Sequence, residues 1–153
     1  MSDRRGFCVA AGVVQDALGA VIADQLLLAG ESVALSIGYP SGGLAAEQIW
    51  IDAQFDASFP RYVSGGYQRD EEAEIEVRLS VRLTDDAMSG PRDRALALAG
   101  IVEDAVSIDP TLGGVVVAAK VTSALGGEAI PDESSRLYGI RMRVAYTLTQ
   151  ALN

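Results

Sequence analysis

The chain has 153 residues, enough for one domain with its own core, and its 49% hydrophobic and 22% charged composition is that of a folded protein. Its formal net charge of −9 argues against nucleic-acid recognition as the main task, because a duplex-binding surface is usually basic, although an acidic surface also serves ordinary solubility. The absence of histidine excludes Ser-His-Asp and Cys-His catalysis, and the lone Cys8 excludes an internal disulfide.

The first predicted element is a helix over residues 7–29, whose large apolar side chains share one arc of a helical wheel. Gly30 is suited to end this helix. The opposite side is small, with Gly19 as an example, so we expect either a subunit contact or a solvent face there. Because Gln15 and Asp16 interrupt the apolar run, we expect no signal peptide or membrane span, and synthesis and retention in the cytoplasm.

Alternating apolar residues predict two strands, over residues 32–38 and 48–55, with turn-forming residues 39–43 between them. On the second strand, Trp50 falls on the face opposite the apolar one. An exposed tryptophan is a candidate anchor for a protein interface, and a second packed layer would explain its position as well.

Residues 56–72 are predicted to form a hairpin loop. The loop mixes aromatic, arginine and glycine residues and ends in acidic ones, a composition that suits contact with a partner. The alternative is a plain tip between two strands. The candidate residues for a subunit or tube interface in this loop are Arg61, Tyr62, Tyr67, Arg69, Glu71 and Glu72.

Two long strands, residues 74–84 and 138–148, show strict alternation of apolar and polar side chains, so each has one buried and one polar face. We expect a helix over residues 91–108 to cover the apolar faces. Arg141 and Arg143 lie on the polar face and are candidates for contacts between subunits; the alternative is a solvated face with ion pairs within one chain. The predicted inward residues are Ile75, Val77, Leu79, Val81, Leu83, Tyr138, Ile140, Met142, Val144, Tyr146 and Leu148.

The nearly continuous apolar run at residues 115–122 predicts a central strand, and the polar, glycine-rich residues 123–135 predict a mobile loop. The element order α-β-β-β-α-β-β indicates a single α+β domain over residues 1–153, with a mainly antiparallel or mixed sheet packed against two helices. The glycine pairs lack the Gly-Lys-Ser/Thr ending of a phosphate loop. We therefore expect no catalytic, cofactor or metal site and no enzymatic activity.

The second half of the chain carries a recognisable order of segments. An alternating strand ends in Leu83-Thr-Asp-Asp, a helix begins at Arg92-Asp-Arg-Ala-Leu-Ala-Leu and the turn Asp109-Pro-Thr-Leu-Gly-Gly114 follows. From Glu74 to Leu152 this order resembles the tail terminator proteins of long-tailed bacteriophages, the group that includes the lambda minor tail protein that caps the tube.

The resemblance implies a structural protein of the virion, located at the head-proximal end of the tail. Members of this family form a homo-hexameric ring that caps the tail tube, stops its polymerisation and provides the surface on which the head docks. The implied partners are other copies of the chain, the tail tube protein and the head-completion or connector protein. DNA would pass through the lumen without sequence-specific binding, and neither a cofactor nor a membrane is implied.

Two alternatives stay open at the level of sequence. One is another neck, head-tail connector or tube component; a tube subunit would need a long sheet hairpin, which only residues 49–83 offer. The other is a cytoplasmic small-molecule-binding domain, which would need an apolar pocket with converging polar groups.

Overall fold

The computed structural model describes residues 9–62, 68–83, 89–132 and 135–151. The fold is α+β, and its elements follow the predicted α-β-β-β-α-β-β order. They are α1 (Val9–Leu28), β1 (Ala34–Ile37), β2 (Glu47–Tyr62), β3 (Gln68–Leu83), α2 (Ser89–Ile108), β4 (Ala118–Asp132) and β5 (Ser135–Ala151).

The five strands form one mixed sheet in the order β1-β2-β3-β5-β4. β1 pairs with β2 in parallel, and the other three pairs are antiparallel. α1 packs over β1 and β2, α2 packs over β3, β5 and β4, and the two helices touch each other. Both helices cover the same face of the sheet and enclose one hydrophobic core, so the opposite face has no helical layer in the described part of the chain.

The first helix lies where it was predicted over the described range, but the expectation that Gly19 belongs to a subunit contact or a solvent face was wrong. Leu18 and Ile22 are fully buried against the sheet. Gly19 lies on this buried side, where an added Cβ would come within 3.2 Å of the Ile37 side chain, so the small residue serves close helix–sheet packing. Gly30 has a φ of 72°, and the N–H of Glu31 donates to the Leu26 carbonyl at 2.9 Å, which ends the helix as predicted.

The stretch Ala10–Leu28 is long and apolar enough, by length and composition alone, to cross a membrane, with a mean hydropathy of 1.4. The core helix of a folded domain meets the same criterion, because one of its faces must be apolar. Here 39% of the stretch is buried inside the protein, on the side that packs over the sheet.

The alternation predicted for the long strands is confirmed where side chains are described. The inward residues of β3 from Ile75 to Val81 and of β5 from Ile140 to Tyr146 are 0–3% exposed. Ala95, Leu98 and Val102 of α2 supply the opposing layer and are themselves fully buried. The Leu83 side chain falls outside the described residues, and Tyr138 is half-buried.

The hairpin predicted over residues 56–72 is formed by the antiparallel strands β2 and β3, but its described residues are strand, so the predicted extent of the loop was wrong. β2 and β3 pair from Asp56↔Glu74 outward to Tyr62↔Arg69, with register shifts that include one between Ser58 and Arg61. Backbone hydrogen bonds to a neighbouring strand stabilise an extended segment even where its side chains show no alternation. Residues 63–67, which connect the two strands, lie outside the described part.

The central strand predicted at residues 115–122 and the loop predicted at 123–135 were also wrong. The chain turns through Leu112, Gly113 and Gly114, which have φ values of 51°, 73° and 88°. β4 therefore begins only at Ala118, continues to Asp132 and lies at the edge of the sheet. Pairing with β5 holds the glycine-rich stretch extended, although residues 122–128 are exposed.

The turn that precedes β4 is built by its own polar groups. The Asp109 carboxylate accepts hydrogen bonds from the Gly113 N–H at 2.9 Å and from the Thr111 hydroxyl at 3.0 Å. Leu112 then points into the core and is 1% exposed. The segment that carries the family resemblance is thus a structural turn with one buried anchor.

Candidate assembly surface

The uncovered face of the sheet carries most of the polar strand residues. A row of paired residues, one from each strand, crosses this face from β1 to β4. In the order of the strands they are Ser36, Trp50, Arg78, Arg141 and Leu125. This face is the side of the described fold that is open to another protein.

Ion pairs within the chain account for two of the arginines on this face. Arg78 donates to Glu76 Oε2 at 3.0 Å from Nη2 and lies 3.5 Å from Asp52. Arg143 lies 3.9 Å from Glu74 and 4.0 Å from Glu76. Pairs at these distances on an exposed face contribute little stability, under about 1 kcal/mol each.

Arg141 differs from its neighbours. Its side chain is exposed and forms no ion pair with any side chain that the structure describes. Of the two predicted arginines, Arg143 is therefore partly engaged within the chain, whereas Arg141 is available to a partner. A role of either residue in a subunit contact stays a prediction.

Of the two explanations left open for Trp50, the exposed anchor does not hold within the protomer, since Trp50 is only 9% exposed. Gly38, with a φ of 78°, turns the chain back, and its N–H donates to the Ile51 carbonyl at 2.7 Å. Tyr39 then packs edge-to-face on Trp50, with ring centroids 5.6 Å apart. The second packed layer considered above is thus this β1–β2 loop, and Tyr39, at 64% exposure, presents the aromatic surface instead.

Glu71 is also misplaced by the sequence prediction, which put it in an acidic loop tip. It lies in β3 beside Leu148 of β5 and is 0% exposed. Its Oε2 accepts a hydrogen bond from the Tyr146 hydroxyl at 3.0 Å, while Oε1 has no hydrogen-bond partner among the described residues. A side chain enclosed in this way cannot reach a neighbouring subunit without rearrangement, so we drop it from the candidate interface.

The remaining predicted residues lie at the end of the β2–β3 hairpin. Glu72 is an exposed strand residue opposite Ser58. The backbones of Arg61, Tyr62 and Arg69 belong to the paired strands, with Tyr62 opposite Arg69. Their side chains, and all of Tyr67, lie outside the described residues, and their role in an interface stays a prediction.

An ion-pair cluster that sequence reasoning missed joins three elements at the rim of the core. Arg94 of α2 donates to Glu31 in the α1–β1 connection at 3.0 Å and to Glu47 at the start of β2 at 3.1 Å. The hydrogen bonds of Arg94 to Glu31 and Glu47 raise the pKa of Arg94, and the bond to Glu31 has the larger effect. In turn, the hydrogen bond from Arg94 lowers the pKa of Glu31. Glu31 and Glu47 are 63 and 47 residues from Arg94 in the sequence, so no local sequence pattern predicts these pairs.

The outer edge of β2 is protected beyond the end of β1. The Gln15 side-chain amide donates to the carbonyls of Asp52 at 3.0 Å and Ala53 at 3.2 Å, where the register with β3 shifts. Farther along, Pro60 has no N–H to offer. Such features are typical of edges that are kept from pairing with other strands.

The outer edge of β4 is protected only at its start. The N–H of Ala119 donates to the Pro110 carbonyl at 2.7 Å. From Val121 to Glu128, no described strand or loop forms backbone hydrogen bonds with the outer side of β4. The two edges of the sheet are therefore chemically different.

Among the described residues, no three acidic, histidine or cysteine side chains are grouped closely enough to hold a metal ion. The groove on the uncovered face is shallow, about 280 Å³, and is lined mainly by charged side chains such as Asp52, Glu76 and Arg143. The chemistry that this surface offers is charge pairing and strand pairing, which are means of recognising another protein.

Comparison with known proteins supplies a structural neighbour. No family model matches the chain. No curated protein matches it in sequence. Among 30 matching chains of solved structures is a chain from the virion of a native gene transfer agent particle, with a TM-score of 0.52 and 14% sequence identity. The alignment covers 92% of this chain and 98% of that one, so the two share their fold over nearly their full lengths.

Proposed function

We propose that this chain is a structural protein of a phage-like particle and that it acts as the tail terminator. The observation that carries the proposal is the shared fold with a virion chain along 92% of the sequence, in an α+β protein whose second half resembles tail terminators. In this role, copies of the chain form a hexameric ring at the head-proximal end of the tail, cap the tube, stop its polymerisation and present a surface to the head-completion protein.

The uncovered sheet face supports a role in assembly. It offers Arg141, which forms no ion pair with a described side chain, beside the charged pairs of Arg78 and Arg143. Charged groups arranged in this way fix the register between subunits more than they add affinity. A heterologous contact repeated around an axis closes into a ring that has no free end for further growth.

The test is the assembly state of the purified protein. Native mass spectrometry should give a mass of six chains, and negative-stain images should show rings with a central hole. Added to polymerising tube protein, the rings should halt elongation. A protein that stays monomeric in the presence of tube ends would contradict the terminator role.

A second candidate is favoured by one observation. β2 and β3 are each 16 residues long and form an extended hairpin, which is the feature expected of a tube subunit. The same images distinguish the two roles, because a tube subunit polymerises into filaments of variable length and a terminator stops at a closed ring.

We further propose that the end of the β2–β3 hairpin contacts a neighbouring subunit or the tube. Replacement of Arg61, Tyr62, Tyr67 and Arg69 by alanine should leave the circular dichroism spectrum and thermal midpoint unchanged and should weaken assembly. Normal rings that cap tubes would show that this region is only a hairpin tip.

A further inference from the structure

The uncovered face of the sheet is divided lengthwise by charge. One half, on β2 and β3, holds the described carboxylates of this face together with Arg78 and Arg82, and we call it the acidic half. The other half, on β5 and β4, carries Arg141, Arg143 and Lys120, and we call it the basic half. The carboxylates of the acidic half are Asp52, Asp56, Asp70, Glu72, Glu74 and Glu76.

The basic half contains no acid over the part of it that the structure describes side chain by side chain. This part runs from Ala118 to Ala129 on β4 and from Leu137 to Thr149 on β5. Glu128 is the acid within these ranges, and it lies opposite Tyr138, on the face that the helices cover. The two signs of charge are therefore separated across the strands.

The outermost charges of the two halves have no partner within the chain. Asp56 on β2 and Lys120 on β4 are exposed, and neither forms an ion pair with a described residue. They stand at the two ends of one row of paired residues, with Glu74 and Ala145 between them. Because neighbouring strands are about 4.8 Å apart, the Cα atoms of Asp56 and Lys120 are about 14 Å apart, too far for an ion pair within one chain.

A face divided in this way complements a second copy of itself. Two sheets that pack face to face keep their strands roughly aligned. With a twofold axis along the strands, between β3 and β5, each acidic half covers the basic half of the other copy. Glu76 then lies over the partner's Arg143, and Asp56 lies over the partner's Lys120. Each of these contacts occurs twice.

The same arrangement covers apolar side chains. Leu125, which is 61% exposed, lies over the partner's Trp50 and the Tyr39 ring that packs on it. One like-charged contact results, between Arg78 and the partner's Arg141. Its cost is small, because two acids of its own chain already pair with Arg78.

From these observations we propose that two copies of the free chain stack through their uncovered faces, with the helices on the outside. From Glu72 to Ser80 the four long strands present an area of roughly 500 Å² on each copy, which is typical of a weak, salt-sensitive contact. The contact is isologous and ends at two copies. It does not rest on the ring proposed above, which requires a different, head-to-tail contact, and the two copies must separate before this face contacts any other subunit.

The first test compares charge variants by analytical ultracentrifugation at low ionic strength. The wild-type chain should sediment as a concentration-dependent dimer that dissociates in molar salt. Asp56→Lys and Lys120→Asp each place like charges at both repeats of one contact and should weaken dimerisation about tenfold or more. A mixture of the two variants should dimerise like wild type, because opposite charges then meet at both repeats.

The matched control is Asp104→Lys. It makes the same change of charge at an exposed position of α2, outside the uncovered face, and should leave the dimer intact. Circular dichroism of all three variants should match that of the wild type, since Asp56, Lys120 and Asp104 are exposed.

A cross-link tests the geometry directly. Lys120 is the only lysine in the chain, so a carbodiimide, which joins an amine to a carboxylate, has one side-chain amine to use. The wild-type protein should give a covalent dimer at low ionic strength, and mass spectrometry of its peptides should join Lys120 to Asp56.

Three results would overturn the inference: a wild-type chain that remains monomeric, single variants that dimerise as tightly as wild type, or a mixture of variants that does not dimerise. The ring is assessed separately by native mass. Rings formed by a protein whose Asp56 and Lys120 variants behave like wild type would refute only the stacked dimer, and a charge-dependent dimer that never forms rings would refute only the terminator role.

Discussion

The two faces of the central strands β3 and β5 hold their side chains in different ways. On the helix-covered face, Leu79 and Met142 are 1% and 2% exposed and belong to the hydrophobic core. On the uncovered face, one residue away along the same strands, Arg78 and Arg143 keep contact with water and pair with acids of their own or neighbouring strands. One pair of strands thus combines a packed core with an adaptable charged surface.

The loss of folding stability caused by a substitution in these strands therefore depends more on the face than on the strand. A buried face excludes water, so a charge placed there has no compensating partner. An open face keeps its water, so a lost or added charge is screened. The predictions that follow test this contrast from the largest expected effect on folding to the smallest.

The largest effect is expected from a charge on the covered face. Met142→Asp or Leu79→Asp should unfold the protomer, because an unpaired buried carboxylate costs several kcal/mol, a large part of the stability of a small domain. Circular dichroism and thermal melting provide the measurement. Arg141→Asp, the same change one residue away on the open face, should stay folded. A soluble Met142→Asp variant with an unchanged melt would mean that the faces are assigned the wrong way round.

A smaller effect is expected where the covered face contains a polar pair. Tyr146→Phe removes the hydroxyl that donates to the buried Glu71 carboxylate. Because the buried oxygen then lacks this donor, the free energy of unfolding measured with urea should fall by about 1–3 kcal/mol. Tyr138→Phe is the matched control, because this half-buried tyrosine lies on the same face of the same strand and its hydroxyl has no hydrogen bond to a described residue. Equal losses in the two variants would show that the Glu71 hydrogen bond is not the cause.

At the rim between the two faces, Arg94→Met should lower the thermal midpoint by a few degrees, since it releases Glu31 and Glu47 together. The control is Arg92→Met on the same helix, where Asp93, adjacent and exposed, is the arginine's ion-pair partner among the described residues. Arg92→Met should leave the midpoint unchanged.

The Arg94 cluster also predicts a pH dependence. The Arg94 hydrogen bond lowers the pKa of Glu31 in the folded state, below the ordinary value of 4.5. This contribution to stability is therefore complete above the unfolded-state pKa and is lost as the pH falls through the folded-state pKa. The difference in thermal midpoint between wild type and Arg94→Met should be constant near neutral pH and shrink as the pH falls below the ordinary carboxyl pKa of 4.5. A gap that widens with acid would contradict the assignment.

The smallest effect on folding is expected on the open face. Arg141→Glu combined with Arg143→Glu should leave the protomer folded, because the ion pairs lost among the described residues are the long, exposed contacts of Arg143 to Glu74 and Glu76. If the exposed acids of β3 in one subunit, Glu72 and Glu74, meet these arginines in the next, the variant should fail to assemble at low ionic strength. If wild-type rings stay intact in molar salt and the variant assembles normally, the two arginines have no role in subunit contacts.

The burial of Glu71, which the sequence analysis missed, could have been predicted from the alternation along β3. The alternation that places Ile75 and Ala73 on the covered face continues to Glu71, so its burial follows from extending the period by one step. The acidic composition of the segment suggested a solvated tip instead. Composition describes what a residue prefers on average, whereas its position on a paired strand decides where it lies.

The sequence by itself determined the class of fold, the two helices, the end of α1 at Gly30 and the inward faces of β3 and β5. These features depend on residues a few positions apart, whose periods of 2 and 3.6 can be read directly along the chain. Only the tertiary structure decided that β4 is an edge strand, that Trp50 is covered by Tyr39 and that Arg94 joins Glu31 to Glu47. These depend on backbone pairing and on side chains brought together from distant parts of the chain, and neither leaves a local pattern in the sequence.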